Sequence, residues 1–147
     1  MSPRSMGIRL HRAFEGASTR KDIFDALEKM MLEGTLSEPE YNHLCRQITT
    51  TLDTTIAGEW FDQRWQHIYH ERSILRHDGN IKRPDRVMQR GKDIVIVDYK
   101  FGEEAASHHK QMAEYMAELR EMGYSHIEGY LWYVASGKVV RVDEVKS

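Results

Sequence analysis

The stretch IVIVDY at residues 94–99 decides the fold, because it opens with four consecutive β-branched apolar residues. A short apolar run of this kind, with turn residues before it, is typical of a strand that is buried on both faces. The turn signal is Arg90-Gly91-Lys92, and residues 81–89 before it form a second predicted strand. Residues 68–75 are also β-prone, and a hairpin turn at residues 77–80 connects them to the second strand. The sequence therefore predicts three strands that follow one another as a meander.

A helix separates this meander from two further predicted strands. Residues 103–122 carry apolar side chains at helical spacing and end at Gly123, a typical C-cap residue. Residues 127–134 and 139–145 are the next predicted strands. The helix is long enough for a crossover, which leaves room for a parallel pairing of the strands on either side of it.

The first half of the chain is predicted to be helical. Thr19 with Asp22 resembles a capping box, and Ser37 with Glu40 gives a stronger helix start. Apolar residues at helical spacing follow both signals. We therefore expect one α/β domain over residues 1–147, with a helical part over about 1–66 and a mixed sheet with its crossover helix over about 67–147.

The composition excludes several kinds of site. The chain carries 21 basic and 23 acidic side chains, a net charge of −2, so the total charge does not indicate a nucleic-acid-binding protein. The one cysteine, Cys45, excludes an internal disulfide, a cysteine-rich zinc site and a four-cysteine iron–sulfur cluster. A lone thiol and the lack of an 18-residue apolar run predict a cytoplasmic protein with no membrane partner.

Positive charge is nevertheless concentrated in two segments. Residues 1–21 contain five basic side chains and one acidic one, and residues 81–93 contain five basic and two acidic ones. Such runs are usually solvated surface, and two of them are also enough to build one basic face.

The segment that carries chemistry contains two aspartates and a lysine. Asp98 and Lys100 are two residues apart on the predicted buried strand, so both side chains point to the same face. Hairpin pairing about Gly91 would bring Asp85 on the neighbouring strand close to Asp98. Two carboxylates beside a lysine suit Mg²⁺ and the hydrolysis of a phosphodiester. Taken singly, each residue also has an ordinary interpretation as a turn cap or an exposed strand end.

These residues resemble the PD-(D/E)XK nuclease motif, through Pro84-Asp85 and then Asp98-Tyr99-Lys100. More narrowly, the chain is similar to the RecB-like branch, the nuclease domain at the C-terminus of helicase–nucleases. Four elements carry that similarity in the order of the family: Gly7-x-x-x-His11, Asp85-Arg86-Val87, Asp98-Tyr99-Lys100-Phe101-Gly102 and Gln111-x-x-x-Tyr115. The resemblance implies a restriction-endonuclease-like fold.

The resemblance also implies a role for each matching residue. The metal ligands would be two carboxylates, one imidazole and one main-chain oxygen: Asp85, Asp98, His11 and the carbonyl of Tyr99. Lys100 would orient the attacking water and complete the catalytic set with the two aspartates. Four further side chains would support the site or touch DNA: Gln111, Tyr115, Arg86 and, as a weaker candidate, Glu71.

Two positions need separate attention. A lone histidine among apolar residues of a helix is usually a core residue, and only the spacing from Gly7 favours His11 over five other histidines: His67, His70, His77, His108 and His109. Phe101 stands where the branch usually has threonine, so one hydroxyl near the site is missing.

By resemblance, the expected function is that of a Mg²⁺-dependent deoxyribonuclease, with Mn²⁺ able to substitute and exonuclease action favoured over endonuclease action. The expected setting is DNA repair and recombination, with DNA and a helicase motor as partners. The chain has no Gly-x-x-x-x-Gly-Lys-Ser/Thr loop, so the motor would act in cis from a longer chain or in trans. The alternatives are a catalytically silent DNA-binding or scaffolding module of the same fold, and a stand-alone endonuclease or junction resolvase.

Overall fold

The computed structural model describes residues 3–70, 74–75, 81–82 and 84–144, with side chains for 5–69 and 84–144. The chain forms two compact units. The first, here the helical unit, contains Met1–Gln63, Tyr99–Gly102 and Tyr133–Val139. The second, here the sheet unit, contains Arg64–Asp98, Glu103–Trp132 and Val140–Ser147. The predicted turn at residues 77–80 and the candidate Glu71 lie outside the described residues.

The described residues of the helical unit form four helices. They are α1 (Pro3–Glu15), α2 (Arg20–Leu32), α3 (Glu38–Thr54) and α4 (Ala57–Trp60). Large apolar side chains of all four are almost completely buried, among them Phe14, Ile23, Leu27, Ile48, Leu52 and Trp60. The predicted helical character of the first half is therefore confirmed, and its core follows the apolar spacing seen in the sequence.

Both predicted capping boxes form. The Thr19 hydroxyl accepts from the Asp22 N–H, and the Asp22 carboxylate accepts from the Thr19 N–H. The main-chain N–H groups of Thr19 and Ser18 hold the pKa of Asp22 below its usual value. Ser37 and Glu40 make the same reciprocal bonds at the start of α3. These bonds satisfy N–H groups that the first helical turn leaves without a partner inside the helix.

The sheet has five strands in the order β1-β4-β5-β6-β7. These strands are β1 (His67–His70), β4 (Arg86–Arg90), β5 (Asp93–Lys100), β6 (His126–Tyr133) and β7 (Lys138–Val142). Strands β1, β4 and β5 pair antiparallel, as the meander predicts. Helix α5 (Ala106–Glu121) connects β5 to its neighbour β6, in the position of the predicted crossover helix. The mixed sheet with helices confirms the predicted α/β class.

The second predicted strand, residues 81–89, is interrupted in the structure. Strand β3 (Ile81–Lys82) pairs with β2 (Ile74–Leu75) in a separate two-stranded ladder, and β4 begins only at Arg86. Pro84 lies in the interruption, where its lack of an N–H prevents it from donating to a ladder. The prediction of one continuous strand was wrong for this reason, and the interruption places Asp85 directly before β4.

Helix α5 lies very close to strand β6. A Cβ added at Gly129 of β6 would lie 2.6 Å from the Met116 sulfur and 2.9 Å from Met112 Cγ, so the glycine is what permits this approach. Met112, Tyr115, Met116 and Leu119 are buried on this helix. Met122 continues this apolar spacing, but it follows the last helical residue and is 55% exposed.

Gly58 provides a test of packing in the helical unit. A Cβ at this position would meet the carbonyl oxygen of Leu52 and would lie 2.8 Å from Arg20 Nη2, which itself donates to that carbonyl. We expect Gly58→Ala to lower the free energy of unfolding by about 1–3 kcal/mol, because a backbone oxygen cannot move aside easily. Urea denaturation measures the change. Gly16→Ala is the matched control, since nothing lies within 4 Å of its added Cβ, and an equal loss in both variants would contradict this account.

Candidate active site

Asp85 and Asp98 lie side by side in the sheet unit. The main-chain N–H of Asp85 donates to Asp98 Oδ1 at 3.0 Å, and the bond is buried. The two residues are only 6% and 3% exposed. The predicted approach of these two aspartates is therefore present in the structure.

The register of the β4–β5 hairpin produces this approach. Arg90 pairs with Asp93 at the turn and Arg86 pairs with Val97 at the other end, so Asp85 and Asp98 occupy the next opposing positions. Gly91 forms the turn with a φ of 60°, which favours glycine, and its N–H donates to Gln66 Oε1 at 2.8 Å. A register slip of one residue would turn the Asp98 side chain to the opposite face of the sheet.

His11 lies on α1 in the helical unit, next to an acidic partner. Its Nδ1 is 2.7 Å from Glu15 Oε1, one helical turn away, and both side chains are partly exposed. A carboxylate at Nδ1 favours the tautomer with the proton on that nitrogen, which places the lone pair of the neutral ring on Nε2. This arrangement is common for metal-binding histidines.

The same helix packs on residues that directly follow Asp98 in the chain. The His11 and Phe101 rings meet edge to face with their centroids 6.3 Å apart. Phe14 contacts both Tyr99, at 5.1 Å, and Phe101, at 5.5 Å between ring centroids. A Cβ at Gly7 would be 3.8 Å from Phe101 Cβ, an ordinary contact. Phe101 therefore anchors α1 through aromatic packing, a role that the usual threonine would not fill.

Lys100 ends β5 and is half-buried. Its main-chain carbonyl accepts from the Val134 N–H at 3.0 Å, and this bond fixes the backbone just beyond strand β6. The backbone that carries Lys100 is therefore held in place by this hydrogen bond.

The other predicted residues have different environments. Tyr115 is buried and Gln111 is half-buried on α5, one helical turn apart. Arg86 is fully buried in β4, with a relative exposure of 0%, so its guanidinium does not face solvent. Glu71 lies outside the described residues, and its suggested supporting role stays a prediction.

The family model of the PD-(D/E)XK nuclease superfamily matches residues 1–146. The chain belongs to this superfamily. The five-stranded mixed sheet is consistent with its restriction-endonuclease-like fold. No curated protein matches the chain. No helix among the described residues is long and apolar enough to cross a membrane.

Membership in the PD-(D/E)XK superfamily implies a metal-dependent nuclease that acts on DNA. The buried aspartates fit this requirement chemically. Both residues are buried and occupy opposing positions of one hairpin, so each contributes a carboxylate at the same end of that hairpin. Carboxylate oxygens are also the ligands that hard cations such as Mg²⁺ prefer.

The sequence analysis did not identify Glu15 as the partner of His11. The signal was present, because residues four apart on a helix face each other and His11 with Glu15 has this spacing. The contact of Phe101 with His11 was not predictable in the same way, since it joins residues 90 positions apart in the sequence.

The bond between Asp85 and Asp98 gives a prediction for stability. Asp98→Ala removes the acceptor of a buried N–H, so we expect it to lower the free energy of unfolding by about 1–3 kcal/mol more than Asp98→Asn does. The asparagine keeps an oxygen at Oδ1. Urea denaturation in a chelator measures both variants, and equal stability of the two would show that this hydrogen bond contributes little.

Proposed function

We propose that this chain is a RecB-like DNA nuclease domain that depends on Mg²⁺, with Mn²⁺ able to substitute. Its proposed action is exonucleolytic hydrolysis of phosphodiester bonds in DNA repair and recombination. A helicase motor, in cis or in trans, would deliver the DNA. A cytoplasmic location follows from this role and from the lone thiol.

The observation that carries the nuclease proposal is the buried pair of Asp85 and Asp98, joined by a hydrogen bond at the end of the β4–β5 hairpin. The motif places Lys100 on the same strand as Asp98. In the RecB-like branch, a Gly-x-x-x-His element precedes this motif. Here Gly7 and His11 both lie against Phe101, the residue after Lys100, and that contact supports the assignment to the branch.

The proposed metal ligands are the carboxylates of Asp85 and Asp98, the carbonyl of Tyr99 and the imidazole of His11. When bound, the ion polarises the phosphodiester and makes water beside it more acidic. Lys100 orients the attacking water and stabilises negative charge that develops on the phosphate. Glu15 is a positioning residue, because its carboxylate holds the His11 ring through Nδ1.

The remaining side chains have supporting roles in this proposal. Tyr115 and Arg86 are buried, so we assign them to the support of the site. Gln111 is half-buried on the same helix as Tyr115, and it retains enough exposure to contact DNA.

Lys100→Met tests the catalytic assignment. We expect Mg²⁺-dependent cleavage of linear DNA to fall at least about 100-fold, because a charged group is removed from the transition state. The matched control is Lys21→Met, because the Lys21 side chain is 82% exposed on α2 and its ammonium pairs with Asp25 on the surface. Full activity of Lys100→Met, or an equal loss in the control, would contradict the proposed role.

The choice of substrate separates the proposal from its alternatives. An exonuclease degrades linear DNA and spares covalently closed circles, whereas a stand-alone endonuclease cuts both and a junction resolvase prefers branched DNA. A silent module binds DNA and cleaves none of the three at any Mg²⁺ or Mn²⁺ concentration. Cleavage of closed circles, a preference for branched DNA, or no cleavage at all would each overturn the exonuclease proposal.

Glu15→Gln tests the positioning of His11. We expect it to weaken Mn²⁺ binding about 10- to 100-fold, since partners that hold a metal-binding histidine usually contribute that much. Titration calorimetry measures the affinity, and higher Mn²⁺ should restore cleavage. Glu28→Gln, an exposed glutamate on α2, is the matched control. Unchanged Mn²⁺ affinity in Glu15→Gln would remove Glu15 from the site.

A further inference from the structure

The sheet unit contains an open cavity of about 500 Å³ away from the paired aspartates. Four arginines line it: Arg64, Arg90, Arg120 and Arg141. We call it the arginine cavity. Its acidic lining residues are Asp93 and Glu128, so the basic groups outnumber the acidic ones by two to one. The buried strand residues Ile94, Val95 and Ile127 also line it.

Two ion pairs around the arginine cavity differ in exposure. Arg141 Nη1 lies 3.5 Å from Glu128 Oε1, and these side chains are 58% and 40% exposed. Arg120 makes two hydrogen bonds to the half-buried Glu144, and they raise the pKa of the guanidinium further above its ordinary value. The exposed Arg141–Glu128 pair contributes little stability, so a phosphate group can replace its carboxylate beside Arg141 at small cost.

Trp65 adds an aromatic surface to the arginine cavity. It is half-buried, which leaves part of the indole open to a ligand. Guanidinium groups next to an accessible part of an aromatic ring can bind single-stranded nucleic acid, through backbone phosphates and stacked bases.

The distance between the arginine cavity and the paired aspartates can be measured along strand β5. Asp93 lines the cavity at the start of β5, and Asp98 lies five residues further along the same strand. At about 3.3 Å per residue the separation is roughly 17 Å. A stacked nucleic-acid strand, with a rise of about 3.4 Å per nucleotide, covers this distance with about five nucleotides.

We propose that the arginine cavity binds the phosphodiester backbone of single-stranded DNA, about five stacked nucleotides from the bond that the aspartates address. The inference that the cavity binds DNA depends only on its lining residues. Its spacing from the scissile bond rests on the proposed nuclease function.

The test measures binding of a 15-nucleotide oligothymidylate that carries a 5′-fluorescent label. Fluorescence anisotropy reports the binding, and a chelator in the buffer prevents cleavage. Arg90→Gln/Arg141→Gln removes two cavity charges. The matched control is Lys92→Gln/Lys110→Gln, which removes two exposed charges outside the cavity. Circular dichroism verifies that each variant is folded.

We expect the cavity variant to bind the oligonucleotide several-fold more weakly than the control. The slope of log K against log salt is negative, and each lost phosphate contact to a single strand makes it less steep by about 0.7. The slope of the cavity variant should therefore be less steep by about 1.4. Equal affinity and slope in the two variants would overturn the proposal.

Thymidine monophosphate, added as a competitor, should displace the oligonucleotide only at far higher concentration. Equal affinity for the mononucleotide would make this a free-nucleotide site and would also overturn the proposal.

Cleavage provides a separate readout for the nuclease function. With Mg²⁺, the cavity variant should cleave the 15-nucleotide strand more slowly than the control and a four-nucleotide strand equally well. If no variant and no parent protein cleaves DNA, the nuclease proposal fails, while the binding comparison still decides the role of the cavity.

Discussion

The hydrogen bond from the Asp85 N–H to Asp98 Oδ1 is the constraint on which the site depends. It joins two strands of one hairpin at the point where the β4 ladder stops, because Pro84 cannot continue it. The interruption leaves the Asp85 N–H available to a side chain instead of to a strand partner. One carboxylate thus fixes the backbone that carries the other, and both aspartates are buried. Carboxylate oxygens are ligands that hard divalent cations prefer, so the arrangement suits a cation chemically.

Much of this hairpin can be predicted from the sequence. The β-branched run at residues 94–97 specifies a buried strand, and Gly91 specifies the turn, so the register about that turn follows from local chemistry. The strand break at Pro84 is harder to locate, since Ile81 and Lys82 retain strand conformation in a different ladder. Periodicity alone does not show which partner a short strand chooses, because that choice depends on contacts distant in sequence.

The helical contribution is predictable in part. The capping boxes at Thr19 and Ser37 form because each is a local pattern of three residues. His11 is different, because nothing in its spacing alone separates it from the other histidines, and only the family motif singled it out. The structure adds two reasons of its own: the Glu15 carboxylate at Nδ1 and the Phe101 ring beside the imidazole. The second is a long-range contact that no local pattern encodes, and its place in a metal site stays a proposal.

The distribution of charge is another property that the fold determines and the local sequence does not show. The net charge of −2 says nothing of nucleic acid, and the basic segment at residues 81–93 is divided by the fold. Arg86 is buried inside the sheet, whereas Arg90 is exposed at the rim of the arginine cavity. There it meets Arg64, Arg120 and Arg141, which come from three distant parts of the chain. A basic surface that the composition conceals therefore arises from the way the β4–β5 turn, the end of α5 and β7 meet in the sheet unit. The hairpin that pairs Asp85 with Asp98 at one end carries part of this surface at the other, so its register positions both.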